Sequence, residues 1–87
     1  MKIKYALITE SYGDYPLRSV IEFDSEKMAD YFLEKKKKFY ENAGYEVIQL
    51  MDGIYSIPAI RTTIKVEPID EMGQILPRYI NILPNFQ

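Results

Sequence analysis

The chain has 87 residues, with eleven Lys and Arg against thirteen Asp and Glu for a net charge of −2, and 47% of it is hydrophobic. That is enough for one small core, and the composition belongs to an ordered domain rather than a disordered chain. The absence of His and Cys removes the commonest general base, the commonest metal ligands and the thiol nucleophile, while a pI near 5.1 argues against a dedicated nucleic-acid binder, whose affinity leans on neutralising phosphates.

Residues 2–10, from Lys2 to Glu10, alternate as a strand, with Ile3, Tyr5 and Leu7 on one face and Lys4, Ala6, Ile8 and Glu10 on the other. Ser11 to Pro16 is a polar turn, and Leu17 to Phe23 reads as the returning strand of a hairpin. The second face of that hairpin carries Ala6, Ile8 and Val20, so it calls for a cover.

One helix is expected over about residues 25–43. Asp24 is its expected N-cap, Phe23 and Met28 are spaced as a hydrophobic staple, and Gly44 suits the left-handed position after its end. At about 100° per residue Met28, Ala29, Phe32, Leu33, Phe39, Tyr40 and Ala43 share one arc that should lie on the sheet. Lys36 falls within the same arc and is expected to lay its stem on apolar surface and reach water with its ammonium.

Residues 45–51 form the next expected strand. Asp52-Gly53 is a type I′ hairpin signal, residues 54–57 pair back, and Pro58 marks a break or an edge. Ile60 to Glu67 alternates cleanly, either continuing the preceding strand past a bulge or forming its own. The fold expected is α+β: a four- or five-stranded antiparallel sheet in ββαββ order with one helix on one face. Residues 1–67 make that core, and residues 68–87 an apolar C-terminal tail, docked on the sheet of the same domain or on a partner chain.

The candidate partner-binding residues are Tyr12, Gly13, Asp14 and Tyr15 in the first turn, with Tyr31 on the helix. Rigid amphipathic rings on a polar turn are enriched where proteins bind proteins. Lys35, Lys36, Lys37 and Lys38 point in four directions on a helix, and Glu34 and Glu41 are placed to pair with them, so the run reads as a solvated face. Lys35, Lys37, Lys38 and Arg61 stand as candidate phosphate contacts only under the weaker reading of a nucleic-acid binder that also uses the exposed tyrosines. No acidic spacing suggests a metal loop, there is no phosphate-binding glycine loop, and neither cofactor nor catalytic residue is assigned.

Tyr5-Ala6-Leu7-Ile8-Thr9-Glu10, Tyr15, and Val20 through Ala29 together resemble the opening of small uncharacterised proteins of phages and prophages of Gram-positive bacteria. The resemblance covers the first half of the chain and implies a viral accessory protein, with no activity or site residues attached to it. The resulting expectation is a non-enzymatic protein-binding module that engages a host protein and inhibits or modulates it, located in the host cytoplasm. It has no membrane segment, and a homo-oligomer could form through residues 68–87. The alternatives are the nucleic-acid binder and a small dimeric α+β enzyme with a pocket near Lys36 or Tyr40.

Overall fold

The computed structural model describes residues 3–76. Strands β1 (Lys4–Ser11) and β2 (Leu17–Phe23) form a hairpin, followed by helix α1 (Glu26–Asn42), β3 (Ile48–Met51), β4 (Ile54–Ile57), a single 3-10 turn (Pro58–Ile60) and β5 (Thr62–Ile69). The five strands make one antiparallel sheet in the order β2-β1-β5-β4-β3. The α+β architecture with its ββαββ order therefore stands, with β5 inserted between β1 and β4. That insertion gives the last strand two partners, which suits its regular alternation of buried and half-buried residues from Thr62 to Val66.

α1 lies on the face that carries Leu7, Tyr55, Ile57, Ile64 and Val66, and it contributes Ala29 and Leu33 to that core. Ser25, one residue beyond the expected Asp24, caps the helix: its Oγ accepts the Met28 N–H at 3.2 Å from extended backbone at φ −134°. With the cap displaced, the staple is replaced by a stacked pair, Phe23 on Phe32 at 5.2 Å between ring centres. The other end closes as expected. Gly44, at φ +95°, donates to the Glu41 carbonyl and Tyr45 to that of Tyr40, the paired bonds of a Schellman end, and the Tyr40 and Tyr45 rings meet edge-on.

Two expected features of the second half change, and one open alternative is settled. The strand over 45–51 shortens to Ile48–Met51 and carries a register irregularity between Gln49 and Met51. The Asp52-Gly53 turn is not type I′, because only Gly53 takes positive φ, at +78°. β4 and β5 are separate strands, since Pro58 opens a 3-10 turn that ends on Arg61 at φ +48°.

β5 also runs past the expected boundary at residue 67, to Ile69. Pro68 is tolerated there because β4 pairs only with residues Thr62 to Lys65. Beyond that point the outer side of β5 faces no strand that needs a donor, and the Pro68 carbonyl accepts from Leu76 at 2.7 Å. Asp70 then organises a turn, its Oδ1 accepting from the backbone N–H of Met72 and Gln74. Ile75 returns to bridge Ile69 and pack with Ala6 and Ile8 on the face opposite the helix. Residues 68–76 of the expected tail thus dock on the same chain, while its residues 77–87 lie outside the described residues.

Candidate functional site

The arc of α1 that meets the sheet is rotated from the one its apolar residues define. Ala29 and Leu33 are buried and Lys36 and Tyr40 half-buried, whereas Met28, Phe32, Phe39 and Ala43 are exposed. The shift amounts to roughly 40° about the helix axis at 100° per residue. On the β4 side the Tyr55 hydroxyl donates to Glu34 Oε1 at 2.7 Å, and the Lys37 ammonium sits 5.1 Å from the centre of the Tyr55 ring. The helix lies mainly over β1 and β5, and beyond the Phe23–Phe32 stack its other apolar flank overhangs β2 uncovered.

The flank and the strand enclose an open groove of about 330 Å³. Ile21 and Phe23 of β2 form one side, Phe32 and Phe39 the other, and Leu7 lies at the base. Phe39 is 67% exposed and Ile21 47%. Beyond the groove β2 is the outermost strand, and every one of its residues from Leu17 to Glu22 is exposed. Leu17, at 72% exposure, lies on the same face nearer the turn at 12–16, separated from Ile21 by Ser19. Single exposed apolar residues are ordinary on a surface, but a cluster beside an edge strand whose outer side no described strand pairs is not.

Lys36 corrects the expectation of a snorkelling ammonium. Its Nζ donates to Thr9 Oγ1 on β1 at 2.6 Å, and burial between helix and sheet lowers its pKa from the usual lysine value. It lines the groove beside Lys35, whose own ammonium rests over the Tyr31 ring at 5.2 Å. The four lysines accordingly serve four environments: Tyr31, Thr9, Tyr55 and, for the exposed Lys38, solvent. Glu34, expected to pair with Lys38, is instead bonded by Tyr55. Arg61 lies beyond the opposite end of the helix-facing sheet from Tyr31, against the first turn, where its carbonyl accepts from Tyr12 N at 2.8 Å.

Of the partner-binding residues expected from sequence, Tyr12, Gly13, Asp14 and Tyr15 stay together in the 12–16 turn, and Tyr15 projects with 88% exposure. Tyr31 does not join them. It sits in the N-terminal half of α1, beside Ser25, Lys27 and Met28, near the end of the sheet where β2 finishes. The residues that sequence reasoning missed as surface are Ile21, Phe32 and Phe39, because alternation and helical periodicity assign all three to a core. The available signal was the width of the apolar arc on α1, which exceeds what one face of a small sheet covers.

On the far face of the sheet Glu67 is buried beside Ala6, and its Oε2 has no hydrogen-bond partner among the described residues. Lys65 pairs with Glu10 at 3.2 Å on the same face. Among the described residues no group of three or more acidic, His or Cys side chains could hold a metal ion, and no helix is long and apolar enough to cross a membrane. No family model matches the chain, and neither curated proteins nor solved structures match it.

Proposed function

We propose that the chain is a non-enzymatic protein-binding module whose binding face is the open edge of β2 together with the apolar flank of α1, with the tyrosine turn at one end. The observation that supports this is an edge strand that, among the described residues, is unpaired on its outer side and is bordered by Ile21, Phe32 and Phe39 around an open groove. An extended segment added to such an edge gains main-chain hydrogen bonds, and the groove supplies side-chain selectivity. On the resemblance of its first half to phage and prophage proteins, the targets are host proteins, which the added contact inhibits or modulates. The lysine run does not favour nucleic acid, because its ammoniums are split among separate environments.

The test is retention of proteins from a host lysate on the immobilised chain, run beside an Ile21→Lys/Phe39→Lys variant and a Tyr12→Ala/Tyr15→Ala variant. A retained protein lost with the first variant supports the β2 face. Loss with the second alone moves the site to the turn, and retention by both variants overturns the proposal.

A further inference from the structure

We infer that, when no target is bound, the β2 edge is occupied by a second copy of this chain, the two β2 strands pairing antiparallel about a two-fold axis at Val20. The inference rests on the β2 face being the binding face, and it names that face's resting partner.

The argument begins with what an edge strand needs. β2 is seven residues long, has no irregularity in its pairing with β1 and carries no proline between Leu17 and Phe23. It therefore lacks the short length, bulge and proline that commonly prevent edge-to-edge association, and its two charged residues, Arg18 and Glu22, are of opposite sign. A two-fold axis normal to the sheet maps each residue onto the same face of the partner strand, so the pairing must centre on a residue. Val20 is the midpoint, and centring there uses the full length of the strand.

That register is self-complementary on both faces. Residues facing away from the helix place Val20 on Val20 and Arg18 opposite Glu22 twice over, once in each direction. Opposite charges directly across an antiparallel pair are favourable, and like charges are not. Within the chain Arg18 faces Glu10 of β1, which Lys65 engages at 3.2 Å, and Arg18 makes no ion pair among the described residues. Among the described residues Glu22 has only the long Lys4 contact at 3.9 Å, with both side chains well exposed. On the helix side, Leu17 meets Phe23 and Ser19 meets Ile21, next to the exposed Phe32 and Phe39 of both copies. Shifting the centre by one residue to Ser19 or Ile21 sets Arg18 or Glu22 against Val20 and shortens the pairing. Charge and length thus select one register.

The pairing would join the two five-stranded sheets into one and close the groove from both sides. The isologous form, in which Arg18 meets Glu22 and Glu22 meets Arg18, is what a closed two-fold dimer requires.

Sedimentation or light scattering of the full chain over a concentration series should give twice the chain mass. Arg18→Glu alone sets two pairs of carboxylates face to face, and Glu22→Arg alone sets two pairs of guanidinium groups. Each should weaken self-association about tenfold or more. Mixing the two variants restores opposite charges at both positions and should restore a mixed dimer. Leu50→Lys, at a similarly exposed residue on the other edge, should leave the mass unchanged. Circular dichroism of each variant checks that the monomer folds.

A wild-type monomer at every concentration overturns the second copy as occupant, as does a dimer indifferent to both charge changes. If host-protein capture in that case still depends on Ile21 and Phe39, the β2 binding face stands without the dimer. If it does not, both fall.

Discussion

β2 and β3 end the same sheet and are built on opposite plans. β3 is four residues long, its register breaks between Gln49 and Met51, and the helix is tied down beside it through Tyr55, Glu34 and Lys37. β2 is seven residues long and regular, and past the Phe23–Phe32 stack an open apolar groove lies between it and the helix. Apolar side chains are exposed at both edges, Ile48 and Leu50 at one and Leu17 and Ile21 at the other. Hydrophobicity alone therefore does not distinguish them. Length, regularity and the position of the helix do, because a bulged four-residue edge offers few aligned backbone groups for another strand to bond. The difference puts the regular edge strand and the uncovered apolar flank of α1 on one side of the molecule, and the Tyr55, Glu34 and Lys37 contacts on the other.

The contrast can be tested first at its root, where the helix meets the sheet. Leu33 is 2% exposed and packs in the cluster with Leu7, Ile64 and Val66. Leu33→Ala should cost about 2–5 kcal/mol of unfolding free energy in denaturant titration, enough to threaten a domain this small. Next in size is the turn that serves the β3 edge. Gly53 holds φ +78° with room for a methyl group, so Gly53→Ala is limited by backbone strain and should cost about 1–2 kcal/mol. Hydrogen exchange should then quicken across β3 and β4 while the β1–β2 hairpin keeps its protection.

Tyr55→Phe removes the bond to Glu34 at a cost of about 1 kcal/mol near neutral pH. Its sharper signature is in alkali. Burial, with the Glu34 hydrogen bond and the charges of Glu34, Asp52 and Glu41 adding to it, raises the Tyr55 hydroxyl to about 12. The unfolded side chain titrates near 10. Between those values the folded state binds more protons than the unfolded one, so stability falls as pH rises through that window and is retained below it. The gap between wild type and Tyr55→Phe should therefore narrow above about pH 10, as followed by denaturant midpoints. A gap that widens there would contradict the buried Tyr55–Glu34 contact.

Much of the architecture was legible because local rules and burial agree. The β1–β2 hairpin, the Gly44 helix end and the alternation from Thr62 to Val66 each follow from turn chemistry or period. The placement of β5 between β1 and β4 was not legible, since pairing order depends on contacts that no segment encodes by itself. The site was legible only in part. The tyrosine turn could be located from its residue types, but the exposure of Phe32 and Phe39 depends on how α1 is rotated on β1 and β5, which contacts distant in the chain decide. Periodicity records which side chains are apolar and not which of them the sheet is wide enough to cover. Lys36 shows the same limit: a lysine inside an apolar arc suggests a surface ammonium, and only the placement of Thr9 turns it inward.

The smallest expected effect on stability tests the comparison most closely. If Phe39 belonged to the core, as its helical period suggests, Phe39→Ser would cost about 3–5 kcal/mol. At 67% exposure it has little to lose on its own chain beyond an edge contact with the Tyr40 ring at 5.5 Å, so the monomer should change by no more than about 0.5 kcal/mol. The measurement must be made on protein dilute enough to be monomeric, since a dimer that buries Phe39 would add its own concentration-dependent stability. Under those conditions a loss of several kcal/mol would mean that the sheet covers this flank after all. A negligible loss, appearing only as protein concentration rises, would mean that Phe39 is kept for a surface outside its own chain.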